Sequence, residues 1–417
     1  MSSNKNYISF YNLFYIFACI VWQPFQVHLL KVDGAGRTIV ALSILAVLIN
    51  LYQLWKQKII YFTPVFLCWV VLSGYSMWNA ISKGFEAEDG TFAFFNVNYF
   101  RPFIFLVITM LELHQDKQRC LKVIWMALCL YLLICIPFFH KGDEERFEVE
   151  GIGNLLPLHA ISFLFVSVVL FVENKIKMRF LIAIVFGITV IVLLSGSRKA
   201  FGAEAILLLV IVLNNGKKKT VWTWIRIVVF GALLVYGVKY VMNNTLVGER
   251  ILKADDAFYV QLVKNDKINN FLMILLGDRA NMYLVGTELF HEHFWTGIGL
   301  MNYQSVSKDE YRLHTEYMVQ LCENGIIGFV LLMLYYVLLI TALIRNRKSD
   351  NKNKIGVALF GLIALLFLNL TCWTYCQNWT MIFYAILLMY AYFDTETDKT
   401  KFKIYENSNS SSQGQLQ

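Results

Sequence analysis

Apolar runs of about 17–25 residues recur from one end of this chain to the other, and nothing else in it constrains the fold so tightly. An α-helix of that length crosses about 30 Å of hydrocarbon. A membrane β-barrel would instead show short segments of alternating polarity. Composition points the same way, with 58% hydrophobic and 16% charged residues. Soluble domains run at about 45–50% and about 25%. The expected class is an all-α polytopic membrane protein.

About twelve spans are legible, the shorter of them below that length: 7–23, 38–55, 59–80, 97–113, 121–138, 154–172, 180–195, 201–214, 221–242, 326–344, 355–371 and 378–393. The first run is followed by Gln23-Pro24 and not by a small-residue cleavage site, so it reads as a retained helix. Lysine and arginine set the orientation. With the N-terminus in the cytoplasm, the inner loops hold Lys56 and Lys58, then Lys117, Arg119 and Lys122, then Lys175, Lys177 and Arg179. Further inner loops carry Lys217 to Lys219 and "RNRKSDNKNK" (345–354). Outer loops such as "FEAEDG" (85–90) and "KGDEERFEVE" (141–150) lean acidic. The net charge of +8 is thereby placed in membrane-flanking loops, so no nucleic-acid partner is expected.

This reading divides the chain into spans 1 to 9 (1–241), an extracytoplasmic loop (242–324), spans 10 to 12 (325–393) and a disordered cytoplasmic tail (394–417). A loop that long is usually functional or disordered. Its aromatic, apolar stretches 269–277 and 282–300 have helical spacing and read as interfacial helices.

Three clusters set polar groups at the outer face. "LSGSRKAFGAE" (194–204) places Arg198 and Lys199 between two spans, against the orientation bias. Arg198 either snorkels to the interface or joins helix N–H groups in binding phosphate. "GDRANMY" (277–283) offers Arg279, which either pairs with Asp278 or forms a second phosphate ligand. In "HTEYMVQLCENGIIG" (314–328), His314 precedes Glu316, Gln320 and Glu323, which share one helix face at i, i+4 and i+7. That face is too polar for lipid and should look into a cavity or the bundle. A histidine suits general-base work because its ordinary pKa lies near neutrality. It equally suits a water-facing helix start.

Arg101, near the outer end of the fourth span, is an intramembrane charge and a functional candidate on that ground. The histidines of "HEH" (291–293) diverge on a helix, and no Cys/His spacing suggests metal. There is no P-loop and no GxSxG elbow, which argues against ATP-driven transport.

Taken in order, "SGSRKAF", "GDRANMYLVGTELFHEHFWTGIGLMNY" and "HTEYMVQLCENGIIGF" resemble the O-antigen ligase and O-antigen polymerase superfamily. The likeness covers about residues 180–345 in motif detail, and the N-terminal third only in hydropathy. It implies a C-type glycosyltransferase-like fold, a donor on undecaprenyl diphosphate, a glycan acceptor, no metal and no cofactor. A flippase and a chain-length regulator are the implied protein partners. By that resemblance Arg198 and Arg279 hold the diphosphate and His314 activates the acceptor hydroxyl. Arg101, Lys199, Tyr303 and Glu323 complete the set as substrate-binding candidates. Members often follow the histidine with asparagine, where this chain has Thr315. The expected function is polymerisation of lipid-linked repeat units at the outer face. Ligation of finished glycan to an acceptor would use the same residues, and a lipid-linked sugar transporter is the alternative of another class.

Overall fold

The computed structural model describes residues 2–30, 35–57, 63–85, 94–141, 147–149, 152, 155–214, 240, 280–307, 313, 315–348, 351–372, 374 and 377–393. Helices α1 (Ser2–Pro24), α2 (Ala35–Gln57), α3 (Pro64–Ser82), α4 (Arg101–Gln115) and α5 (Lys117–Cys135) are followed by a short hairpin. Then come α6 (Leu155–Val172), α7 (Met178–Leu194), α8 (Arg198–Asn214) and α9 (Ala280–Glu292). The last three are α10 (Asn324–Arg345), α11 (Lys352–Asn369) and α12 (Asn378–Tyr392). Among the described residues, six helices are long and apolar enough to cross a membrane, and three shorter ones are also apolar. The chain is an α-helical membrane protein. The expected ninth span lies outside the described residues except for Tyr240, and the tail lies wholly outside them.

One departure from an all-helical chain is the hairpin, in which β1 (Phe139–Lys141) pairs antiparallel with β2 (Phe147–Val149) and Phe139 faces Val149. Alternation in "FHK" and "FEV" is too short to be read as a strand without its partner.

Local chemistry starts the helices. Thr63 accepts a hydrogen bond from the Phe66 N–H and Pro64 opens α3. The Asp116 carboxylate caps α5 through the Arg119 N–H. Burial then sorts the helices into layers. Every residue from Leu156 to Leu170 in α6, and from Trp379 to Ala391 in α12, is buried. Helices apolar all round belong in the interior, and these two form the centre. Around α12 pack α4, α6, α10 and α11, and α8 packs along α11. The outer helices turn large apolar side chains outward, such as Phe10 and Phe14 on α1, Phe186 on α7 and Val337 on α10. Exposed apolar surface on this scale suits lipid.

At one end of the bundle, Glu173 ties four helices together. It takes the Lys117 ammonium at 2.9 Å, the Lys354 ammonium at 3.6 Å and the Tyr390 hydroxyl at 3.0 Å. Among the described residues, the lysine-bearing starts of α5 and α11 lie at this end. In the centre, the Phe165 and Phe383 rings stack at 4.3 Å, and Gly361 of α11 lies against Phe165. A Cβ at Gly361 would overlap that ring. We expect Gly361→Val to lower stability by about 1–3 kcal/mol through overpacking. Thermal unfolding in detergent reads this out, with lipid-facing Ile363→Val as the control that stays near wild type.

Candidate functional site

The end of the bundle opposite Glu173 is built around an interrupted helix. Thr315 caps a short turn, Glu316–Met318, through the Met318 N–H at 3.2 Å. A wider π-type turn, Val319–Glu323, follows, and α10 begins at Asn324. Between them Gly325 adopts φ +65° and ψ −168°, a conformation open essentially to glycine alone. The break strips intrahelical partners from the carbonyls before it and from the N–H groups after it.

A neighbouring loop replaces them. The Ile298 and Gly299 N–H groups donate to the Cys322 and Glu323 carbonyls at 3.0 and 2.9 Å. In return, the Ile326 N–H donates to the Phe294 carbonyl at 2.8 Å. The two backbones lie so close that a Cβ on Gly297 would strike Glu323, and one on Gly325 would strike Trp295. Gly297 also has positive φ, +67°. Both glycines of "GIG" and the first glycine of "ENGIIG" thus meet in one joint.

The side chains complete it. Glu323 is buried, and its carboxylate accepts from the Met301 N–H at 2.9 Å. Asn79 of α3 reaches the carbonyls of Thr296 and Glu323, each at 2.8 Å. Asn324 donates to Ser76 and to Gln320, and Gln320 donates to Glu316 at 3.0 Å. The other Glu316 oxygen accepts from the Thr374 N–H at 2.9 Å, and its own N–H donates to the Cys372 carbonyl at 3.1 Å. The polar face therefore looks into the bundle. Its third member at hydrogen-bond reach is Asn324 and not Glu323, because the wide π-type turn shifts the register. Helix α9 covers this segment, with Gly286 against Met318. The Tyr283 hydroxyl donates to the Leu370 carbonyl at 3.1 Å. Burial raises the Tyr283 pKa, with a hydrogen bond to Thr315 opposing it, so this donor keeps its proton at neutral pH.

Arg198 opens α8, where Ser197 caps through the Ala200 N–H and Gly196 before it has φ +61°. Helix α8 packs along α11 with Gly202 against Phe367. That contact sets the first turn of α8, with half-buried Arg198 and Lys199, toward the end of α11 that leads to Thr374, where Glu316 is anchored. Tyr303 is buried at the start of a helical turn, Tyr303–Ser307, just after the Glu323-bonded loop. Arg101 lies apart, at the start of α4, on the wall of a cavity near 340 Å³. His314 and Arg279 lie outside the described residues.

Residues 180–333 match the family model described as O-antigen ligase. In this segment the chain is similar to the O-antigen ligase family. Members are glycosyltransferase-like enzymes of polysaccharide assembly. No curated protein matches the chain. The family segment holds α7, α8, α9 and the interrupted helix with its partner loop. It includes Arg198, Lys199, Arg279, Tyr303, His314 and Glu323. The clamp Asn79 and the anchor Thr374 lie outside it. Neither belongs to a motif. The signal for Asn79 was only an amide within an apolar run, which demands a buried partner.

Two substitutions test the joint. Gly325→Ala should destabilise by at least about 1–3 kcal/mol, the cost of the backbone conformation alone. Asn79→Leu should lose a similar amount, because the Thr296 carbonyl loses its Asn79 donor and the Glu323 carbonyl keeps only the Gly299 N–H. Each is read as a fall in unfolding temperature in detergent, and unchanged values for both would mean that the joint carries little stability.

Proposed function

We propose that this protein polymerises oligosaccharide repeat units carried on undecaprenyl diphosphate, at the outer face of the bacterial cytoplasmic membrane. The observation that supports this reading is the family match over 180–333, a segment in which the start of α8, with Arg198, and the interrupted helix 315–325 lie toward the same end of the bundle. That end lies opposite Glu173 and its lysine partners, and the positive-inside bias supports an extracytoplasmic placement.

The chemistry follows from the donor. Its leaving group is already a diphosphate, so no acid is needed to expel it. The acceptor hydroxyl oxygen attacks the anomeric carbon of the donor sugar. The bond from that carbon to the diphosphate oxygen breaks, and its electron pair leaves with the diphosphate. Arg198 and Arg279 stabilise the growing negative charge, with Lys199 beside Arg198. His314, as a neutral imidazole, takes the hydroxyl proton. The new glycosidic bond is made without nucleotide because the donor carries the energy. Tyr303 and Arg101 are assigned to substrate contacts. Glu323 serves the site through the backbone it holds, the Met301 N–H.

Transfer of finished glycan to a separate acceptor is the second reading, favoured by the description of the matching family. One experiment separates the two. A strain lacking the protein is complemented with wild type, His314→Ala or Arg198→Ala, and its lipid-linked and acceptor-linked glycans are resolved by gel. We expect the deletion to leave acceptors bearing single repeat units. We expect His314→Ala to reduce polymer by about 10²–10⁴-fold, and Arg198→Ala by about 10²–10³-fold, at unchanged protein level. Full-length polymer retained on the carrier would assign ligation instead. Unchanged glycans in all strains would defeat both readings.

A further inference from the structure

The cavity beside Arg101 is walled by α1, α2, α4, α6 and α12, away from the interrupted helix but at the same end of the bundle. Its described lining includes Trp22, Gln23, Asn98, Arg101, His159 and Trp379, and among the described lining residues there is no aspartate or glutamate. Three buried donor atoms on these side chains make no hydrogen bond within the protein: Trp22 Nε1, Arg101 Nε and Trp379 Nε1. Trp379 is only 2% exposed. A buried donor without a partner costs about 1–3 kcal/mol, and here three such donors sit on residues of one cavity wall. One of them belongs to a guanidinium that faces no carboxylate among the described lining residues.

His159 adds the opposite kind of group. Its ring stacks on Tyr131 at 4.1 Å, and Nδ1 lies 3.0 Å from the Leu155 carbonyl. A carbonyl only accepts, so Nδ1 carries the hydrogen, and Nε2 of the neutral ring is an acceptor. The wall thus offers one fixed positive charge, two indole N–H donors, amides and an acceptor suited to a hydroxyl. About 340 Å³ falls at the small end of ligand cavities.

We propose that this cavity binds a hydroxylated anion, a carboxylate or phosphate ester on a sugar or polyol. Arg101 is its charge partner and Trp22 and Trp379 are ring N–H donors. The same chemistry is carried by an acidic sugar of a glycan and by a phosphoglycerol lipid headgroup.

The test uses the full-length protein in phosphatidylcholine nanodiscs, with radiolabelled glucuronate and glycerol phosphate as probes and glucose as the neutral competitor. Both anions should bind, and glucose should not displace them. Arg101→Gln should weaken binding by at least about tenfold, the value of one charge-assisted hydrogen bond. Trp379→Phe keeps the ring, removes the N–H, and should weaken it by about threefold. Where Arg101→Gln fails to give monodisperse protein, the Trp22→Phe, Trp379→Phe double variant carries the test. Tighter binding of glucuronate than glycerol phosphate, unaffected by phosphatidylglycerol in the discs, supports a glycan occupant. Loss of probe binding on adding phosphatidylglycerol supports a headgroup. Displacement by glucose, or affinity in the variants within about twofold of wild type, overturns the proposal. The assay contains no lipid-linked donor, so its failure is separate from failure of glycosyl transfer.

Discussion

A backbone carbonyl or N–H that loses its partner in a membrane must find another inside the protein, because lipid offers none. That constraint organises the candidate site. The helix leading into α10 is interrupted at Gly325, and the groups freed there are taken up by the loop 294–299. The exchange needs two backbones in direct contact, which explains glycine at both 297 and 325. It also explains why Asn79, on a distant part of the sequence, reaches in to bond carbonyls of both strands of the joint.

The rest of the bundle keeps that joint in place. Glu316 fastens the segment before the break to the turn that precedes α12, the most buried helix of the fold. Helix α11 carries Phe367 against Gly202 of α8, and so sets the height of Arg198 relative to the same turn. At the other end, Glu173 gathers α5, α6, α11 and α12 around one carboxylate. A broken helix at one end is therefore held by helices that are pinned at the other. Rigid support of this kind suits the proposed reaction, in which a diphosphate and an acceptor hydroxyl are held in register.

Much of the fold was open to reading, for a simple reason. Apolar runs long enough to cross lipid have few alternatives to helix, so their existence follows from length and composition. The motifs around Arg198, "GIGLMNY" and "ENGIIG" also drew attention, since charges and clustered glycines stand out against apolar sequence. Their purposes were less open. Glu316, Gln320 and Glu323 share a face at ordinary helical spacing, yet the π-type turn pairs Gln320 with Asn324 and sends Glu323 to the Met301 N–H. No spacing rule distinguishes a carboxylate kept for a ligand from one kept for a backbone.

By itself, the sequence determined that this is a helical membrane protein, and that its motifs over about 180–345 resemble the O-antigen ligase and polymerase superfamily. Those properties are local: each depends on a run of neighbours or a short motif. Only the tertiary structure decided which helices lie at the centre, which glycines touch, and that Asn79 is a clamp. It alone placed Trp22, Arg101, His159 and Trp379 around one cavity. These are contacts between residues tens to hundreds of positions apart, and apolar faces in a bundle are too alike in sequence to specify their partners. The choice is made by side-chain volume and by the need to satisfy each buried polar group, and both become visible only when the helices are packed.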